Sequence, residues 1–105
     1  MIRVPTHRHP AHPGEVLLED FLKPHGMTQV HLAERIGVPF QRVNQIVKGR
    51  RGITPDTALR LGRLFNTTPD IWLNLQLAVD LYDALHAQNA RAIDEIRPLA
   101  VSKAV

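Results

Sequence analysis

IGVPFQRVNQIVKGRR, residues 36–51, sets a glycine, an apolar residue and a proline ahead of a short amphipathic run that closes on a glycine and two arginines. From Pro39 to Gly49 the spacing predicts a helix of about three turns, with Val43, Ile46 and Val47 as its buried side. Left outward are Gln41, Arg42, Asn44, Gln45 and Lys48, all long or polar hydrogen-bonding side chains. Phe40 stands in the first turn, and Arg50 and Arg51 follow the last.

The preceding stretch, MTQVHLAERIG, predicts a helix capped by Thr28, packed inward through Val30, Ala33 and Ile36, and stopped at Gly37. Counted from Gln29 as position one, Leu32 and Ala33 fall at positions four and five, Gly37 at nine, Val38 at ten, Val43 at fifteen and Ile46 at eighteen. That is the spacing of a helix-turn-helix, and its basis is steric. Ala33 is small where the second helix crosses, Gly37 permits the positive φ of the tight turn, and Val38, Val43 and Ile46 fix the angle between the helices. A helical hairpin can match such positions by coincidence, but six matches at fixed spacing favour DNA binding.

The outward chemistry suits DNA. Gln and Asn pair with adenine through two bonds, Arg pairs with guanine, and Lys48, Arg50 and Arg51 can neutralise phosphates. The candidate DNA-facing set is Gln29, Pro39, Phe40, Gln41, Arg42, Asn44, Gln45, Lys48, Arg50 and Arg51. Gln29 either contacts phosphate or braces Gln41; Phe40 either touches a thymine methyl or folds back against Val43.

Outside this unit the periodicity stays helical. GEVLLEDFLK places Leu17, Leu18, Phe21 and Leu22 on one face, and Pro24 and Gly26 end it. TPD occurs at Thr54 and again at Thr68, each time a hydroxyl cap, a proline at the first helical position and an acid at the positive end of the helix dipole. These begin a fourth and a fifth helix. No hairpin signal appears, though IRPLAV near the end fits a short strand. The expected architecture is all-α, five helices in one domain: an arm over residues 1–13, a helix-turn-helix domain over 14–86, and an extension over 87–105 that forms a short strand or helix.

Composition narrows the function. A chain of 105 residues fits one domain. It has no cysteine, which removes disulfides, thiolate metal sites and cysteine nucleophiles and suits the cytoplasm. The longest apolar stretch is too short to cross a bilayer, and no signal-peptide core is present, so a soluble protein without a membrane role is expected. Net charge is only +3, but Lys48, Arg50 and Arg51 cluster, whereas residues 70–86 hold Asp70, Asp80 and Asp83 and no Lys or Arg. The sole serine, Ser102, lies in the tail, no glycine-rich phosphate loop occurs, and Asp94 and Glu95 read as a solvated pair, so no catalytic residue, metal or cofactor is assigned. His7, His9 and His12 form the one metal-like cluster, on a Pro-rich arm with Arg3 and Arg8. That arm reads instead as a segment too polar for the core that folds onto a partner or brushes DNA.

Residues 12–86 resemble the HigA-type antitoxins of the lambda-repressor-like helix-turn-helix family, most specifically in HPGEVL, NQIVKGRRGITPDTALRLGRLF and WLNLQLAVDL. The resemblance implies a five-helix lambda-repressor-like fold and two activities. One is neutralisation of a HigB-type toxin, a RelE-like ribonuclease that cleaves mRNA, with the N-terminal arm and first helix contributing. The other is repression of the shared operon by binding operator DNA. A stand-alone transcriptional regulator of the same family is the alternative. The chain departs from the pattern at Pro39, where relatives usually carry Ser or Thr. Proline offers a phosphate neither hydroxyl nor amide.

The fifth helix carries two apolar stripes. Ile71, Trp72, Leu75, Ala78, Val79 and Tyr82 are expected on the core, and Leu73, Leu77, Leu81 and Ala84 are left for a second subunit. With Ile96, Leu99 and Val101 from the tail, Leu73, Leu77 and Leu81 form the candidate homodimer interface.

Overall fold

The structure, a computed structural model, describes residues 9–100. Arg3, His7, Arg8, Val101 and Ser102 lie outside the described residues. Six α-helices follow in order: α1 (Pro13–Val16), α2 (Gln29–Ile36), α3 (Phe40–Val47), α4 (Pro55–Phe65), α5 (Pro69–Leu85) and α6 (Ala90–Asp94). Among the described residues there is no strand, so the expected strand at IRPLAV is absent over residues 96–100; the short C-terminal element is instead α6, a helix that starts six residues earlier.

α1 runs without a break into a π-helical segment, Leu17–Leu22. There the Lys23 N–H reaches the Leu18 carbonyl, five residues back, at 3.0 Å. The wider turn sets Leu17 and Leu22 on the same side, each 1% exposed. His12 caps α1: its Nδ1 accepts from the Gly14 N–H at 2.9 Å. Pro13 and Gly14 are buried, so the core begins inside the segment expected to be too polar for it.

Thr28 and Thr54 cap as their residue types suggest, through bonds from His31 N–H at 3.0 Å and Thr57 N–H at 3.4 Å. Thr68 takes the extended backbone of a cap, but its hydroxyl makes no capping bond; Pro69 supplies the helical start. α2 ends on Gly37 at φ +72° and α4 on Asn66 at φ +57°, the left-handed conformation that reverses the chain.

Leu17, Leu22, Leu32, Ile36, Val43, Ile46, Ile53, Ala58, Leu61 and Trp72 form one core. Trp72 is its largest member, in contact with Phe21 and Phe65, and its Nε1 donates to Thr67 Oγ1 at 3.0 Å. This places α5 across the domain. Two apolar residues expected inward are not: Val30 is 54% and Ile71 44% exposed. Val30 sits two residues from the buried Leu32 and Ile71 one residue from the buried Trp72, and these two fill the core.

α1 meets α3 by direct backbone contact. A Cβ added at Gly14 would lie 1.8 Å from the Ile46 carbonyl oxygen. Only glycine permits that approach.

Candidate nucleic-acid interface

α3 is amphipathic about a sharp boundary. Val43 and Ile46 are buried, Val47 is half-buried, and the opposite side is built by Gln41, Asn44, Gln45 and Lys48. At about 100° per residue, Gln41, Gln45 and Lys48 cluster at the crest of that side. Asn44 and Arg42 stand on its two flanks, toward α2 and α4.

Both flanks are tied to the scaffold. Asn44 Nδ2 donates to Gln29 Oε1 at 3.0 Å. Gln29 therefore braces Asn44 rather than Gln41, because the first turn of α2 runs beside the middle of α3 and not its start. On the other flank Arg42 Nη1 donates to Asp56 Oδ2 at 3.3 Å. At the crest Arg51 Nε donates to Gln45 Oε1 at 3.0 Å, so a residue expected to bind only phosphate also orients a residue expected to read bases. Gln41 and Lys48 are exposed and make no side-chain hydrogen bond among the described residues.

Pro39 is the residue before α3, extended at φ −63° and ψ 146°, and provides no side-chain cap. Phe40 is 43% exposed and does not join the hydrophobics packed on the core, so it stays available to an apolar group outside the chain. Gly49 turns the chain at φ +74°, which brings Arg50 and Arg51 back beside the crest; the Arg50 N–H closes this turn on the Gln45 carbonyl at 2.8 Å. Lys48, Arg50 and Arg51 are all exposed and form no ion pair among the described residues. The result is a convex helix with side-chain amides at its centre and three cations outside any ion pair among the described residues at its C-terminal end, a shape and charge that suit the major groove and its phosphate walls.

Two residues absent from the sequence-based set hold this unit together. Arg60 Nη1, from α4, donates to the Ile36 carbonyl at 2.7 Å and to the Gly37 carbonyl at 3.4 Å, satisfying the C-terminal end of α2. Its Nε donates to Asp56 Oδ2 at 2.9 Å. The available signal was the i,i+4 spacing of Asp56 and Arg60, but that spacing alone marks an ordinary surface pair.

Away from α3, the arm meets α5 at His9. Its Nε2 lies 2.9 Å from Asp83 Oδ1, and its ring packs edge-on to Tyr82, which also stacks on His86. The bond to the Pro10 carbonyl, then that to Asp83, raises the His9 pKa, whereas burial lowers that of His12. No group of three or more His, Cys, Asp or Glu residues that could hold a metal occurs among the described residues. Of the residues expected at a subunit contact, Leu77 and Leu81 are 43% and 38% exposed and Ile96 and Leu99 are exposed, but Leu73, next to the fully buried Trp72, is half-buried against the core. Val101 lies outside the described residues.

The sequence pattern of the helix-turn-helix family matches residues 18–72, which span α2, the turn and α3. Antitoxin HigA-1 of Vibrio cholerae is 38% identical over 92% of this chain and 90% of its own length. The chain belongs to the HigA-type helix-turn-helix family. Virulence-associated protein I of Dichelobacter nodosus is 47% identical, over 85% of this chain and 81% of that protein. Among solved structures, the Pseudomonas aeruginosa antitoxin HigA with the higBA promoter superposes with a TM-score of 0.81 at 41% identity, covering 87% of this chain and 99% of that one. No helix among the described residues is long and apolar enough to cross a membrane.

Proposed function

We propose that this HigA-type protein is a non-catalytic antitoxin and repressor of the cytoplasm: it binds operator DNA through α3 and neutralises a HigB-type, mRNA-cleaving toxin encoded beside it. The observation that carries the DNA reading is the crest of α3, where Gln41 and Gln45 stand among Lys48, Arg50 and Arg51. The likeness to an antitoxin seen with its promoter supports it. Gln41 and Gln45 read base edges in the major groove, Lys48, Arg50 and Arg51 neutralise phosphates, and Gln29 and Asp56 hold the flanks.

One such helix reads too few bases for selectivity, so the repressor acts as a homodimer with its two recognition helices about 34 Å apart on a palindromic site. The exposed apolar row Leu77, Leu81, Leu85, Ile93 and Ile96 supports a dimer through the end of α5 and the tail. Toxin neutralisation uses a surface other than α3, with the arm and α1 contributing.

Co-expression with the product of the neighbouring reading frame tests the antitoxin role. The parent chain and an Arg50→Ala/Arg51→Ala variant should both restore growth, while only the parent shifts a duplex taken from upstream of its own gene. Failure of the parent to restore growth overturns the antitoxin role and leaves the repressor.

A further inference from the structure

The flank of α3 that faces α4 carries a carboxylate where a phosphate-binding surface has least use for one. Asp56 stands in the first turn of α4, and its Oδ2 accepts two unequal bonds, from Arg60 Nε at 2.9 Å and from Arg42 Nη1 at 3.3 Å. Arg60 is anchored on the Ile36 and Gly37 carbonyls, so the carboxylate is aimed by the scaffold rather than free to turn. The longer, weaker bond goes to the DNA-side residue. Arg42 lies about 100° around the helix from Gln41. With the crest in the major groove, that position faces the groove wall, where phosphates lie, rather than the base edges on its floor.

A carboxylate and a phosphate offer a guanidinium the same ligand: paired anionic oxygens that accept parallel bonds. We propose that Asp56 is a positioning residue for DNA binding, an internal stand-in for phosphate that occupies Arg42 in the free protein and restrains it from backbone contact. The proposal rests on the reading of α3 as the recognition helix. It gives Asp56 a role beyond complementing the dipole of α4. The pair is solvent-exposed, with the Arg42 and Asp56 side chains 31% and 58% accessible, so it is weak enough to exchange. A bidentate backbone contact that uses the Arg42 Nη1 competes with it directly.

The test is the salt dependence of binding, measured by anisotropy on a duplex from upstream of the chain's own gene and on a scrambled duplex of equal length. Asp56→Asn should bind both duplexes more tightly, on the order of fivefold at 0.1 M salt, and steepen the plot of log K against log salt by about 0.9, the signature of one added phosphate contact. In an Arg42→Ala background the same substitution should leave the slope unchanged. That second arm separates release of Arg42 from mere loss of a negative charge, which would act equally in both backgrounds. An unchanged slope in the parent background, or an equal change in both, overturns the proposal. Should Asp56→Asn melt early, Asp56→Ser, which keeps an oxygen in the first turn of α4, repeats the test. If the parent itself shows no salt-dependent binding to either duplex, it is the DNA-binding reading that fails.

Discussion

Gly14→Ala should be among the most damaging single-methyl changes in this protein, against what helix propensity alone suggests. In the first turn of α1, alanine is favoured over glycine by about 1 kcal/mol on propensity. The structure reverses the sign. The new Cβ would lie 1.8 Å from the Ile46 carbonyl oxygen, 2.6 Å from its carbon and 3.0 Å from the Val47 Cα, all backbone atoms that no rotamer change can move aside. Opening the first contact even to 3.0 Å shifts α1 by 1.2 Å from α3, and with it the fully buried Pro13 and Leu17. Overpacking of this kind costs about 1–3 kcal/mol, and a clash between two backbones belongs at the upper end. For a domain of this size each kcal/mol lowers Tm by roughly 4–8 °C, so a fall of about 12–24 °C is expected by circular dichroism. Gly26→Ala is the control: Gly26 has φ +59° and nothing within 4 Å of a new Cβ, so it pays only for the left-handed backbone, about 1–2 kcal/mol. A Gly14→Ala protein that melts no lower than Gly26→Ala would refute the close approach of α1 to α3.

Because Arg51 Nε holds Gln45 Oε1, Gln45→Ala and Arg51→Ala should be non-additive in operator affinity: Gln45→Ala is expected to cost about 1–3 kcal/mol and relax preference at one base pair, and Arg51→Ala should weaken all sequences while also blurring that same base pair. Strict additivity in a double-mutant cycle would mean the bond has no role on DNA. Leu77 is 43% exposed in the single chain, so Leu77→Asp should change monomer stability by no more than about 0.5 kcal/mol yet halve the sedimenting mass from twice the 11.8 kDa chain mass; a parent chain that sediments as a monomer at micromolar concentration rejects the interface. The two arm histidines should titrate on opposite sides of the ordinary value of 6.5 when followed by NMR, His9 above it and His12 below. By linkage the His9–Asp83 contact is fully held below pH 6.5 and is lost as pH rises through the raised value, whereas the His12 cap on Gly14 is fully held above pH 6.5 and weakens as pH falls through it toward the lowered value; coincident midpoints would contradict both placements.

The helix-turn-helix was legible because its constraints are local. Thr28, Ala33, Gly37, Val43 and Ile46 each answer to a cap, a crossing, a positive φ or a buried face set within twenty residues. What sequence could not show depends on distant partners. Gly14 is required by Ile46, Gln29 is claimed by Asn44, and the Asp56–Arg60 pair matters because it reaches the end of α2, none of which a helical period records. Val30 and Ile71 face outward for another reason: an apolar residue one or two positions along, Trp72 beside Ile71 and Leu32 two after Val30, takes the inward place, and a helical period drawn through apolar residues alone does not say which of the two faces in. Leu73, adjacent to the buried Trp72, likewise belongs partly to the core. The expected strand at IRPLAV is absent over residues 96–100: no other strand occurs among the described residues to pair with it, Pro98 lacks an amide to donate, and Ile96 and Leu99 stay exposed.

The central claim is that α3 and the turn after it form the DNA surface. Amide chemical-shift mapping of the labelled chain, titrated with a duplex from upstream of its own gene, tests it most directly. Perturbations should concentrate at Gln29, across Phe40 to Lys48, at Arg50 and Arg51, and at Asp56, while Tyr82 to Ala90 remain unmoved at any one subunit's DNA face. Perturbations centred on α5 and α6, with Gln41, Gln45 and Lys48 unmoved at saturation, would contradict it.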